Sequence, residues 1–150
     1  MSLIAKNKFA YFDYHIIDEY EAGIILNGPE VKSVKLGQIN LKGSYVTFRN
    51  SEPWLINAHI SPYKMAIGSQ KNYEPTRDRQ LLLKASEIKS LIGQSKSQGL
   101  TLIPLSVYTV RRLIKIRLGL AKGKKKYDKR AAIKKREVDR KIQRVMRQKF

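Results

Sequence analysis

The chain contains no cysteine, two histidines and one tryptophan among its 150 residues. Without cysteine there is no disulfide framework and no thiolate metal site, which suits a reducing compartment. His15 and His59 alone make no zinc site. The simplest reading of each is a hydrogen-bonded structural side chain. No run of about 20 apolar residues occurs, so no membrane-spanning helix is expected. The opening segment MSLIAKNKFAYFDY has no apolar signal-peptide core, so the expected location is the cytoplasm. Acidic residues are scarce: 12 Asp and Glu face 31 Lys and Arg. Glu19 and Glu21 share a strand face, but no further acid or base accompanies them, so acid–base catalysis is not supported. There is no G-x-S-x-G, and GKKK at 123–126 lacks the glycine spacing and the Ser/Thr of a P-loop. No cofactor, metal or small-molecule substrate is implied, and the chain does not read as an enzyme.

What is present is a hydrophobic fraction of 42%, enough for one core, and a net charge of +19. The charge is uneven. Residues 1–121 hold 17 Lys and Arg against nine Asp and Glu, whereas residues 122–150 hold 14 against three. The chain therefore divides into a body, 1–121, and a basic tail, 122–150. Such charge points to phosphate polymers first and anionic membranes second.

Residues 9–18 are rich in aromatic and β-branched side chains and read as a strand, continued by residues 21–26. Asn27-Gly28-Pro29-Glu30 resembles a helix start, with Val31 and Val34 as its apolar side and Gly37 as its stop. Residues 44–49 and 54–60 read as a hairpin around Asn50-Ser51-Glu52-Pro53. Residues 64–76 read as a surface loop, and Leu81-Leu82-Leu83 as a buried strand. Ser86 and Glu87 open a helix in which Ile88, Leu91 and Ile92 share a face, ending near Gly99. Residues 100–110 and 113–121 form the last two strands. In the second, Ile114, Ile116, Leu118 and Leu120 face one way and Lys115, Arg117 and Gly119 the other. This pattern predicts a mainly β fold: a small antiparallel barrel with short outer helices.

The tail has a different period. On a helical wheel Val138, Ile142, Val145 and Met146 form a narrow stripe, with Arg136, Arg140, Arg144 and Arg147 opposite. So thin a stripe cannot anchor so charged a helix, and a short isolated helix is marginal in water. The tail is expected to be disordered when free and helical against an anionic partner. Tyr127, set among lysines, offers a stacking face for an unpaired base or packs the tail's root onto the barrel.

Several segments, in order, resemble the small protein B family: NK at 7–8, YEAG at 20–23, EVKS at 30–33, AHISPY at 58–63, RQLLL at 79–83, GLTLIPL at 99–105 and GLAKGKKKYDKR at 119–130. The resemblance implies a barrel of oligonucleotide-binding type. It also implies a role: binding the tRNA-like domain of transfer-messenger RNA (SsrA RNA) and escorting its alanyl form into the A site of ribosomes stalled on truncated messages. The partners it implies are that RNA, small-subunit ribosomal RNA at the decoding centre and mRNA channel, and, through the RNA, elongation factor Tu and alanyl-tRNA synthetase.

Residue by residue, the resemblance places Asn7, Glu21 and Leu82 on the RNA-binding face. Lys84 stands where some members carry asparagine. Lys32, Lys35, Lys122, Lys124 and Lys125 are expected phosphate contacts on transfer-messenger RNA. Tyr127 holds a position that is aromatic or histidine in relatives and is expected to stack in the decoding centre. Asp128, Lys129 and Arg130 match the family motif, Val138 stands where some members have tryptophan, and Val145 and Met146 match a C-terminal apolar pair. With Arg136, Arg140 and Arg144 these form the expected tail contacts in the mRNA channel. A basic ribosomal or ribosome-assembly protein is the competing reading. An RNA-processing enzyme would need a catalytic constellation, and a membrane-surface helix would need a broader apolar face.

Overall fold

A computed structural model describes residues 1–124 and 126–148, without the side chains of residues 67, 69, 126–129, 131–132 and 145–148. Among the described residues nine strands carry the fold: β1 (Ser2–Lys6), β2 (Tyr14–Ile24), β3 (Ile39–Asn40), β4 (Tyr45–Arg49), β5 (Glu52–Ile56), β6 (His59–Ile60), β7 (Arg79–Leu82), β8 (Thr101–Val110) and β9 (Leu113–Gly123). Four α-helices accompany them: α1 (Ala10–Asp13), α2 (Gly28–Lys35), α3 (Ala85–Gln98) and α4 (Lys126–Gln148).

Every pairing is antiparallel. The main sheet runs β1-β8-β4-β5-β7-β2-β9, and β9 pairs back onto β8. Six strands thus close a ring, and closure removes the free edges that would invite aggregation. Long β8 makes this possible. Val46 of β4 pairs with its Leu102, while Ser2 and Lys6 of β1 pair with its Thr109 and Ser106. The expected small barrel with outer helices is therefore the observed fold.

The inward faces follow the period-2 rule: Leu55, Leu81, Val107, Ile116, Leu118 and Leu120 are buried. Val34 of α2 and Leu91 of α3 join the same core. Each such side chain stabilises by about 1.5–3 kcal/mol. A smaller cluster lies outside the ring, where Ala10 of α1 covers Ile103, Leu105 and Ala121. The outer face of β9 is therefore only partly the basic surface its alternation predicts. Leu105 lies so close to Gly119 that a Cβ there would sit 3.0 Å from it.

Local chemistry explains the element ends. Asn27 accepts the Glu30 N–H at 2.9 Å, and Glu30 accepts the Asn27 N–H at 3.1 Å, a reciprocal cap that opens α2. Gly37 (φ +79) and Gly99 (φ +62) follow α2 and α3 in the left-handed region where glycine stops helices. Asn50 and Ser51, both at positive φ, make the β4–β5 connection a two-residue turn.

Five expectations need correction. Residues 9–18 are not one strand: Ala10–Asp13 is a helical turn, because burying Ala10 against Leu105 and Ala121 outweighs local strand preference. Residues 54–60 break at Asn57 (φ +64), so that His59–Ile60 leaves the barrel to pair with Ile39–Asn40. The turn of the first hairpin is shorter than expected, with Glu52 and Pro53 already in β5. Leu82 is not buried; its strand alternates, and it lies 54% exposed beside buried Leu81. β9 also runs to Gly123, two residues beyond the composition boundary. The helical period of the tail matches α4.

Candidate nucleic-acid interface

Glu21 of β2, Leu82 of β7 and Lys84 at the entry to α3 come together around one open hollow of 510 Å³, with Gly23, Glu87 and Lys115. Antiparallel pairing sets the arrangement: Gly23 is opposite Leu82 on one side and Lys115 on the other. A Cβ on Gly23 would sit 3.4 Å from the Leu82 side chain, in ordinary van der Waals contact, so Gly23 and Leu82 are direct neighbours on this face. The Tyr108 hydroxyl donates to Glu21 at 2.7 Å. Burial first, and then the Glu21 carboxylate, push the Tyr108 hydroxyl up to about 12, so it remains a donor at neutral pH. The Arg117 guanidinium lies 5.6 Å from the centre of the Tyr108 ring, with its Nη1 3.6 Å from a Glu19 oxygen. The hollow thus combines a fixed acceptor for hydroxyl or amine hydrogens, two ammonium groups for phosphates, and exposed Leu82 for an apolar face.

The other expected residues lie elsewhere. Asn7 is buried, its amide nitrogen donating to Pro104 O at 2.9 Å and its N–H to Leu105 O at 2.8 Å. Lys122 is exposed opposite His15 at the far end of β2. Lys124 is tied to α1 by its N–H on Asp13 O (2.9 Å) and its Nζ on Tyr11 O (2.8 Å). At about 3.3 Å per strand residue, that end lies some 23 Å from Glu21. Lys32 and Lys35 project from α2. The Lys32 ammonium is 5.5 Å from the Tyr63 ring centre, and Lys35 borders a hollow of 520 Å³ with Arg111 and Arg112.

On α4, Arg136 stacks over the Phe12 ring at 4.9 Å, fastening the helix to α1. Arg130, Arg140 and Arg144 are exposed, and Val138 and Ile142 are about half exposed. Lys125 lies outside the described residues, as do the side chains of Tyr127, Asp128, Lys129, Val145 and Met146. His15 and His59 are both exposed. Among the described residues no three His, Asp or Glu gather as a metal site, and no helix is long and apolar enough to cross a membrane.

The sequence reading missed Tyr108 and the place of Lys115 in the hollow. The alternation of β9 marked Lys115 and Arg117 as outward cations, but nothing in the sequence linked Tyr108 to Glu21, 87 residues away.

A closed antiparallel barrel ringed with cations and continued by a basic helix is a nucleic-acid-binding module of the oligonucleotide-binding type. The family model described as SmpB protein matches residues 4–148. An SsrA-binding protein of Carboxydothermus hydrogenoformans is 49% identical over 99% of this chain and 98% of its own length. One of Trichodesmium erythraeum is 51% identical over 97% and 93%. A chain in the solved structure described as "tmRNA-SmpB: a journey to the center of the bacterial ribosome" superposes with a TM-score of 0.67 at 41% identity, covering 86% of this chain and 93% of that one. The chain belongs to the SmpB protein family, a family of RNA-binding proteins and not of enzymes.

Proposed function

We propose that this cytoplasmic protein binds the tRNA-like domain of transfer-messenger RNA and carries the alanyl-charged RNA to ribosomes stalled on truncated messages, so that trans-translation can tag the peptide and free the ribosome. The observation that carries the reading is the gathering of Glu21, Leu82 and Lys84 from three elements into one hollow, in a chain whose relatives are named for SsrA binding. Glu21 accepts from a ribose hydroxyl or base amine, Lys84 and Lys115 neutralise phosphates, and Leu82 covers an apolar surface of the RNA. The tail enters the vacant mRNA channel and stands in for codon–anticodon pairing, with Tyr127 stacking on a decoding-centre base and the arginines of α4 along ribosomal phosphates. Elongation factor Tu and alanyl-tRNA synthetase act on the RNA rather than on this chain.

The position of Lys122 and Lys124 refines this division. Both lie at the root of the tail, at the end of β2 away from the Glu21 hollow. They therefore serve the tail's ribosomal contacts more than the barrel's.

The test is a titration of the full-length protein with transfer-messenger RNA, an ordinary tRNA and an unrelated hairpin across a salt series. Selective binding to the first at physiological salt, lost in Lys84→Glu and Leu82→Asp, is expected. Equal, steeply salt-dependent binding to all three would mean that the barrel reads charge alone, as a basic ribosomal component does.

A further inference from the structure

Closure of the six-strand ring leaves β1 outside it. Among the described residues β1 pairs with β8 alone, and no backbone group of Ser2–Lys6 bonds to another segment. One edge of β1 is therefore an unpaired row of N–H and C=O groups, some 17 Å long at about 3.3 Å per residue. The strand borders a hollow of 520 Å³ that shares no residue with the Glu21 hollow. The end of α2 brings Lys35 and Leu36 to this hollow, and the β8–β9 turn brings Arg111 and Arg112. Leu3 is 63% and Leu36 65% exposed, although neighbouring Ile4 packs against the core. No acidic side chain lines the hollow, and none of its three cations makes an ion pair among the described residues.

These features select an occupant. An unpaired strand edge is satisfied by another extended backbone, which offers both N–H and C=O groups. A phosphate offers acceptors only and would leave the carbonyls of the edge unmet. Exposed Leu3 and Leu36 suit apolar side chains, and Lys35, Arg111 and Arg112 suit carboxylates. A second copy of this chain fits poorly. It would bring like charge against the three cations, on a molecule of net charge +19. Lys6 and the register shift between Leu3 and Ala5 also guard the edge against self-pairing.

We propose that β1 takes up an extended acidic segment of a partner protein as an added strand, with carboxylates toward Lys35, Arg111 and Arg112 and apolar side chains over Leu3 and Leu36. So short a strand buries less than the roughly 1,200 Å² of a stable interface, so the contact is transient. The inference adds a protein partner and does not depend on the RNA-binding reading. The test uses full-length protein and a fluorescein-labelled peptide of alternating glutamate and valine, read by anisotropy at physiological salt and by amide hydrogen exchange. The controls are a lysine–valine peptide of equal length and the glutamate–valine peptide N-methylated at every residue, which keeps its charge and loses its N–H donors. The glutamate–valine peptide should bind and slow exchange within Ser2–Lys6, and both controls should bind at least about tenfold more weakly. Arg112→Glu and Leu3→Asp, both at exposed positions, should each weaken the peptide by about tenfold. If either variant melts early, Lys35→Glu, at the exposed end of α2, decides: unchanged binding counts against the site. Oligouridylate should not displace the peptide, and displacement would assign the hollow to phosphates and overturn the inference. Absence of peptide binding, equal binding of the N-methylated peptide, or unchanged exchange within Ser2–Lys6 at saturation would overturn it as well.

Discussion

Arg79 has no exposed surface, and its charge is matched inside the fold. It donates to Glu30 at 2.7 Å, to Ala58 O at 2.7 Å and to Pro75 O at 2.9 Å, while Arg77 pairs with the same carboxylate. Tyr73 adds a hydroxyl donor to Glu30 at 2.9 Å. This network holds α2, the 73–79 segment and the start of β7 together, beside the strand that presents Leu82. Arg79→Met leaves buried Glu30 short of its partner, so a loss of about 3–5 kcal/mol is expected in urea unfolding. Burial pushes the Glu30 carboxyl up, but the bonds from Arg77, the Asn27 N–H and Arg79 outweigh it and hold the group below its ordinary value of 4.5. A depressed folded value means stability that is present above the unfolded value and lost as pH falls through the folded one. Urea midpoints should therefore hold from neutrality to about pH 5 and fall below it, and Glu30→Gln should flatten that fall. Tyr108→Phe removes the donor to Glu21 and should cost about 1 kcal/mol of stability. It should also loosen transfer-messenger RNA binding, because Glu21 is then free to turn away.

At the scale of elements, α4 packs against α1. It is fastened to the body by Arg136 over Phe12, and its root by Lys124 on α1. A peptide of residues 122–150 should show little helical circular dichroism at physiological salt and gain helix on adding RNA. A strong helical signal without RNA would count against conditional folding. The elements also show what the sequence could reveal. The alternation of β9 and the Asn27–Glu30 cap were legible because both are local rules, period 2 and a four-residue cap. Helix α1 was not, because Ala10 is helical only on account of Ile103, Leu105 and Ala121, nearly a hundred residues on. Leu82 was misread as buried because three consecutive leucines carry no alternation; its strand neighbours decide its direction. The hollow that joins Glu21 to Lys84 depends on β2–β7 pairing, which no short motif encodes.

For the whole molecule, charge and shape act at different ranges. Each phosphate neutralised adds about 0.7–0.9 to the slope of log affinity against log salt. Truncation after Lys124 should therefore flatten the salt dependence of ribosome binding. It should leave the preference for transfer-messenger RNA over tRNA within about threefold, since 0.5 kcal/mol is the usual scale of surface changes. Tyr127→Ala in the full-length protein should likewise leave binding to isolated transfer-messenger RNA unchanged and lower activity on stalled ribosomes.

The closure of the ring by β9 sets the order in which the chain can fold. β2 finds its longest partner only when Tyr14 meets Gly123, and β1 finds its partner only in β8. A growing chain thus carries β1 unpaired until β8 is made, and β2 matched only at Gly23 and Ile24, to β7, until β9 is made. Such distant pairing is slow to form, because loop closure precedes any reward. The β8–β9 hairpin, local and long, is the natural nucleus. Substitutions at its Arg111-Arg112 turn should slow refolding more than they speed unfolding, whereas changes in β1 should do the reverse.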